Sequence, residues 1–342
     1  MEAKSRADCA IRQMGGTEHG DFIATAMSIQ RAFVTGGAGF IGSHVVDGVL
    51  ARGIPVTVYD NFTTGRKEYL APNVQVVRGD VLDLKQLTNA MAGCDFVFHF
   101  QANADVRGGK QHTRVDLEQN TIATWNVLDA MRINGAKGIA FASSAAVYGE
   151  PSVFPTPESY APAQTSLYGA SKLAGEAMIE AYCEYFGMRS FSYRFVSWIG
   201  ERYSHGVIFD FMKRLQADPT RLQILGNGEQ KKSYLYVKDG VDGILRGIDH
   251  HPTGKHVFNL GHDYFVTVVD LTKIVLDELG MKNVKLEFAG GERGWVGDSP
   301  LVHLDTSKIR QLGWKPQTSI EEGVRRTVRF LKENKNVLSE RT

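Results

Sequence analysis

Between Arg31 and Phe195 short apolar runs alternate with helical patterns, and this rhythm leaves room for few folds. The runs are Ala32 to Thr35, Val56 to Tyr59, Val74 to Val77, Phe96 to Phe100, Ile139 to Ala142 and Ser190 to Tyr193. The helical patterns lie at Ile41 to Arg52, Leu84 to Met91, Thr121 to Asn134 and Leu167 to Phe186. Strands this short, without polar alternation, are expected where both faces of a parallel sheet are covered. The pattern predicts an α/β fold, a doubly wound parallel sheet of the Rossmann type. Beyond Gly200 the rhythm gives way to polar loops, scattered strands and shorter helices such as Val207 to Gln216, with no internal repeat. The predicted organisation is a doubly wound domain over residues 31–196 and a smaller C-terminal α/β domain over 197–334. The chain is expected to cross between the two lobes, with the ligand in the cleft between them. Residues 1–30 read as a flexible extension in which Met27 is an alternative start, and 335–342 as a flexible tail.

The first strand runs directly into Gly36-Gly37-Ala38-Gly39-Phe40-Ile41-Gly42, and a helix follows. Glycines here permit a tight turn, let the backbone approach a pyrophosphate and allow close helix packing, with the helix amino terminus facing the phosphates. Asp60 ends the second strand, where a carboxylate accepts hydrogen bonds from the adenosine ribose and repels a 2′-phosphate, so NAD is expected over NADP. Arg66 lies close enough in sequence to argue the other way. Asp80-Val81, after the third strand, puts a carboxylate where it either meets adenine or merely forms a turn.

Tyr168 and Lys172 are four residues apart at the start of a helical pattern, so both side chains project from one face. An adjacent ammonium lowers a tyrosine pKa toward working pH, as a general base requires. Taken alone, such a pair is common on helix surfaces. Here Ser143 and Ser144 end the strand Ile139 to Ala142, at the carboxyl edge where such sheets hold their ligands.

Together with Ser143-Ser144-Ala145-Ala146-Val147-Tyr148-Gly149, Tyr168-Gly169-Ala170-Ser171-Lys172 and Gly226-Asn227-Gly228-Glu229-Gln230, the glycine motif resembles the extended short-chain dehydrogenase/reductases, in particular UDP-glucose 4-epimerase-like enzymes. The resemblance covers Arg31 to about Phe330. It implies that Ser144 is a catalytic hydroxyl, Tyr168 the acid/base, and Lys172 the residue that binds nicotinamide ribose and tunes Tyr168. It extends the NAD site from Gly36, Gly39, Phe40, Ile41, Gly42, Asp60, Asp80 and Val81 to Asn61, Phe100, Gln101, Ala102, Asn120, Tyr168, Lys172 and Phe195. For a nucleotide-diphosphate sugar it points, besides Ser144 and Tyr168, to Ser197, Gln230, Lys232, Tyr234, Arg293 and Asp298.

The chain departs from the usual pattern at Ser197, where many relatives carry asparagine, at Lys232, where arginine often holds the diphosphate, and at Trp295, a position often basic. Lysine neutralises phosphate without bidentate geometry. Simple packing accounts equally for Ser197 and Trp295, a solvated charge for Lys232, and a turn network for Arg293 and Asp298.

The implied reaction is NAD-dependent epimerisation at the sugar C4 through a 4-keto intermediate. A sugar-nucleotide 4,6-dehydratase or decarboxylase starts with the same oxidation, and an NAD-sensing regulatory or scaffold protein is the alternative of another class. The position after the catalytic hydroxyl separates the enzymes. Dehydratases resembling this family carry an Asp-Glu pair there and the decarboxylases a Glu, whereas this chain has Ala145 and Ala146.

With 39 basic against 38 acidic residues, a net charge of +1 gives no field to attract nucleic acid or an anionic membrane. No run reaches the roughly 18 apolar residues of a membrane helix, and the histidines show no zinc spacing, so neither membrane nor metal is expected. Cys9, Cys94 and Cys183 form no CxxC pair and fit a reducing cytoplasm. The apolar positions of Thr121 to Asn134 and Leu167 to Phe186 exceed what one sheet face covers, and a C2 homodimer is expected through them.

Overall fold

The protein is described here by a computed structural model covering residues 29–339. The expected flexible extension thus lies outside the described residues, apart from Ile29 and Gln30. In the first half the elements are β1 (Ala32–Thr35), α1 (Phe40–Leu50), β2 (Val56–Asp60), β3 (Gln75–Arg78), α2 (Leu84–Ala90), β4 (Phe96–His99), α3 (Thr113–Asp116), α4 (Ala123–Asn134), β5 (Gly138–Ala142), α5 (Leu167–Phe186) and β6 (Arg189–Phe195). There follow β7 (Ser197–Ile199), α6 (Val207–Ala217), β8 (Arg221–Ile224), β9 (Lys231–Lys232), β10 (Tyr234–Tyr236), α7 (Val237–His250), β11 (Lys255–Leu260) and β12 (Val266–Thr267). The chain ends with α8 (Val268–Leu279), β13 (Lys285–Phe288), β14 (Leu301–Val302), α9 (Ser307–Arg310), α10 (Ile320–Glu333) and α11 (Lys335–Ser339).

Seven strands form one parallel sheet in the order β11-β6-β5-β4-β1-β2-β3. Helices cover both faces, so every residue of β1, β2, β4, β5 and β6 is buried, while the edge strand β3 is not. That is why these strands read as unbroken apolar runs. The order reverses between β1 and β4, and the carboxyl ends of the strands at this switch point open the crevice where such sheets bind ligands. Strand β11 comes from the later half of the chain yet extends the large sheet by pairing with β6. Around it, β7 pairs with β10, β9 lies between β12 and β14, and β8 pairs with β13.

Two segments differ from their sequence-based expectation. A helix was expected to begin at Thr121, but residues Leu117–Ile122 form a π-helical turn and α4 starts at Ala123. A π turn adds a residue to the helical circuit, and such bulges recur at functional sites; this one carries Asn120. The expected flexible tail of 335–342 is corrected over its first part. Residues Lys335–Ser339 are helical because Val337 and Leu338 are buried, each worth roughly 1.5–3 kcal/mol of apolar burial. Arg66 Nη2 also donates to the Asn336 carbonyl at 3.3 Å.

Candidate active site

The glycine loop is held open by sterics rather than by side chains. Gly36 has φ +67°, and a Cβ on Gly42 would fall 2.0 Å from the Gly36 carbonyl oxygen. The loop therefore folds onto the start of α1 with nothing between. The N-cap of α1 is Gly39, its side chain offers no cap, and the first turn contains no acidic residue. The amides around Phe40, Ile41 and Gly42 and the positive end of the helix are thus available to an anion.

Asp60, at the end of β2, is buried. Its Oδ2 accepts from the Ala38 amide at 2.9 Å and its Oδ1 from the Phe62 amide at 2.8 Å. Burial pushes its pKa up and the two amides pull it back, so the carboxylate is pinned against the glycine loop. Asp80 serves the turn that the sequence also allowed: Oδ1 accepts from the Leu82 amide at 2.9 Å and Oδ2 from Asn61 Nδ2 at 3.3 Å. Val81 is buried, and its carbonyl accepts from Asn126. Beyond β4, the rings of Phe100 and Phe195 stack at 6.4 Å and 15°. Gln101 donates through Nε2 to Gln119, while its Oε1 is buried with no partner in the structure. Ala102 follows, half-buried. The cradle, the uncapped helix, the pinned carboxylate and this orphaned acceptor fit a dinucleotide.

Helix α5 positions the next group. Ser166 caps it by accepting from the Gly169 amide at 3.0 Å, and Gly187 ends it in the left-handed conformation. Ser144 caps a 3₁₀ turn over Ala145–Tyr148 by accepting from the Ala146 amide at 3.1 Å, and its hydroxyl is placed to favour the ionised form of Tyr168. The turn sits so close to α5 that a Cβ on Gly169 would fall 2.5 Å from the Ala146 carbonyl oxygen. Glycine at that position is what lets the serine reach the tyrosine.

Burial pushes Tyr168 up to about 12, with the Ser144 hydrogen bond opposing it and the Asp116 charge adding to it. Burial pushes Lys172 down to about 7 against the pull of Asp116 and Glu176. The Lys172 ammonium lies 5.0 Å from the Phe141 ring centroid and 5.9 Å from that of Tyr168. Asn120 stands behind this group. Its Nδ2 donates to Ser171 Oγ at 2.9 Å and to Asp116 Oδ1 at 3.2 Å, and its Oδ1 accepts from the Asn103 amide at 2.8 Å.

On the far side of the crevice the charged residues are paired with one another. Lys232 Nζ meets Asp298 Oδ1 at 2.7 Å and the Ser299 carbonyl, and it lies 6.0 Å from the Trp295 ring centroid. Arg293 holds both oxygens of Glu150 at 2.7 and 2.8 Å, and donates to the Asp298 carbonyl oxygen at 3.4 Å. A turn network thus exists alongside any ligand role. Gln230 and Tyr234 are buried, Gln230 Oε1 has no partner in the structure, and Ser197 is exposed.

Two buried groups escaped the sequence reading. Glu176 receives Arg194 through Nε at 3.0 Å and Nη2 at 2.7 Å, and also the Ser143 hydroxyl. It lies one turn beyond Lys172 on the same face, so the i, i+4 spacing was the available signal. The second is Asp116, for which the sequence held no comparable cue.

The profile of the NAD dependent epimerase/dehydratase family matches residues 32–261. The chain belongs to this family. Among relatives, UDP-glucose 4-epimerase of Mycolicibacterium smegmatis is 30% identical, with 88% of this chain and 98% of that protein covered. UDP-glucuronic acid decarboxylase 4 of Arabidopsis thaliana is 31% identical, with 86% and 67% covered. A crystal structure of UDP-galactose 4-epimerase superposes with a TM-score of 0.81 at 37% identity, covering 89% of this chain and 99% of that one. Thermus thermophilus UDP-glucose 4-epimerase in complex with NAD gives 0.79 at 28% identity, covering 88% and 99%. The protein is an NAD-dependent nucleotide-sugar enzyme with an extended short-chain dehydrogenase/reductase fold. Among the described residues no helix is long and apolar enough to cross a membrane, and no three His, Cys, Asp or Glu side chains group to hold a metal.

Proposed function

We propose that the protein interconverts C4 epimers of a nucleotide-diphosphate sugar, with UDP-glucose and UDP-galactose or a close relative as the pair. The observation that carries this reading is the Lys172 ammonium 5.9 Å from the Tyr168 ring centroid, with the Ser144 hydroxyl placed to favour the phenolate. NAD held by the glycine loop from Gly36 to Gly42 and by Asp60 would supply reversible hydride transfer at C4. Tyr168 takes the proton of the C4 hydroxyl and later gives it back; Ser144 hydrogen-bonds the same oxygen and holds it in line. Lys172 stabilises the phenolate through its charge. On the other wall, Gln230, Tyr234, Lys232 and Arg293 anchor the nucleotide, with Ser197 and Asp298 alongside. The diphosphate competes there with Asp298 and Glu150 for the two cations. Binding energy far from C4 keeps the substrate attached while its sugar turns.

Ala145 and Ala146 favour this reading over the dehydratase or decarboxylase chemistry of other family members. Elimination across C5 and C6 needs a further acid and base, and a methyl group is neither. A panel of sugar nucleotides should therefore yield C4 epimers of unchanged mass. A product lighter by one water, or by carbon dioxide, would overturn the assignment. Binding of NAD with conversion of no sugar nucleotide would favour the sensing protein instead.

Two copies are proposed to pair through α4 and α5. Leu117, Ile122, Trp125, Ile133, Leu167 and Tyr185 all stay exposed on or beside these helices, with Trp125 at 43% and Tyr185 at 80%. An apolar face of this kind on a single copy marks an interaction site. Sedimentation at micromolar concentration should give the mass of a dimer; a monomer throughout would exclude it.

A further inference from the structure

Asp116 closes α3 and is 1% exposed. Its Oδ1 accepts from Asn103 Nδ2 at 2.9 Å and from Asn120 Nδ2 at 3.2 Å. Its Oδ2 is buried with no hydrogen-bond partner, and the preceding loop closes over it so tightly that a Cβ on Gly109 would fall 3.0 Å away. A buried carboxylate oxygen without a donor is unusual and calls for a compensating charge or a function. The charge of Lys172, on the helix α5 that α3 contacts, favours the ionised form of Asp116, while burial works more strongly against it.

We propose that Asp116 is a positioning residue for the acid/base pair: a fixed, buried negative charge that holds Lys172 as an ammonium beside Tyr168. The proposal rests on the assignment of Tyr168 and Lys172 given above. Asn103 and Asn120 clamp one oxygen and leave the charge in place, and Asn120 ties the same clamp to Ser171, the neighbour of Lys172. The other charged or titratable groups on this side are few. Asp105, on the loop before α3, pushes Asp116 further up. Glu176, next along α5, also acts on Lys172 and is itself paired with Arg194 of β6. His99, at the end of β4, is kept neutral by burial and by Lys172, which push its pKa down to about 3.

The sign of the effect is fixed. A nearby negative charge disfavours phenolate and favours ammonium, so Asp116 raises the pKa of both Tyr168 and Lys172. Asp116→Asn keeps the acceptor that both asparagines use and changes the atom that has no partner. It removes the charge with little change in shape, and both pKa values should fall. The bell-shaped pH dependence of kcat/KM for the epimerisation should then move toward acid on both limbs, by roughly one unit, or about ten-fold in each ionisation constant.

A second readout needs no turnover: tyrosinate absorbance of the NAD-loaded protein, taken as the difference from Tyr168→Phe, should shift to lower pH in Asp116→Asn. Asp116→Ser, which removes the charge with less bulk, should shift both readouts the same way if Asp116→Asn does not fold. A profile that loses height while its limbs stay in place, or a tyrosinate titration that stays put or moves toward alkali, would mean Asp116 is structural only. If no sugar nucleotide is converted, the proposed function falls, and the tyrosinate titration still decides the role of Asp116.

Discussion

Tyr168→Phe should abolish conversion of the sugar nucleotide, lowering turnover by roughly 10²- to 10⁴-fold, the range general acid/base groups contribute. NAD content should be unchanged. The substitution removes one hydroxyl and leaves the ring beside Lys172. The glycine cradle and Asp60 are separate elements of the sheet edge and keep their contacts. Initial rates together with NAD released on acid denaturation would check both halves. A variant retaining a tenth of the activity would remove Tyr168 from the reaction; one that lost NAD would make it a binding residue instead.

The same site explains why Tyr168 needs help. Burial pushes Tyr168 up and Lys172 down, so the surroundings favour the neutral form of each. Added positive charge near the hydroxyl, or anything that keeps Lys172 charged, moves the phenol toward working pH. Ser144 acts in that direction by favouring the developing phenolate, whereas Asp116 favours the charged lysine and disfavours the phenolate. On the proposed reaction, catalytic competence would depend on several groups whose charges influence one another.

How much of this was legible in the sequence depends on whether the interaction is local. Helix α5 was read from Leu167 to Phe186, the span found, because its signals lie within it and at its ends: a serine cap, a glycine stop and a same-face pair. Strands β1, β2 and β5 were likewise located by burial on both faces. The π turn at Leu117–Ile122 was not, because a shift of one residue in the hydrogen-bond circuit leaves no mark on apolar periodicity. Long-range pairs were also invisible. Lys232 meets Asp298 because β9 and the loop that follows β13 come together in space, and Arg293 meets Glu150 because the same loop reaches the segment after the Ala145–Tyr148 turn. The short helix after Asn334 was missed because two buried aliphatic residues, Val337 and Leu338, are too brief a pattern to read.

Gly42→Ala should cost the protein its cofactor. Added bulk in most loops is absorbed by a rotating side chain, but the atom that a Cβ at position 42 would meet at 2.0 Å is the Gly36 carbonyl oxygen, part of the backbone. Relief requires moving either the turn or the first turn of α1. The turn resists, since Gly36 donates to Tyr59 at 2.9 Å and its oxygen accepts from Gly39 at 3.1 Å. Helix α1 resists as well, because Phe40, Val45, Val46 and Val49 are packed in the core. Overpacking of this kind costs roughly 1–3 kcal/mol of stability, which leaves a large protein folded. The phosphate cradle suffers more, because its amides work only when several converge on one anion. A displacement approaching an ångström forfeits that convergence, and the expected loss of NAD affinity is on the order of 100-fold, or about 2.7 kcal/mol. Calorimetric titration of NAD into the variant, beside a thermal melt, separates the two effects. A melt lowered by a few degrees with binding gone is the expected result; unchanged NAD affinity would mean that the loop after β1 does not carry the pyrophosphate.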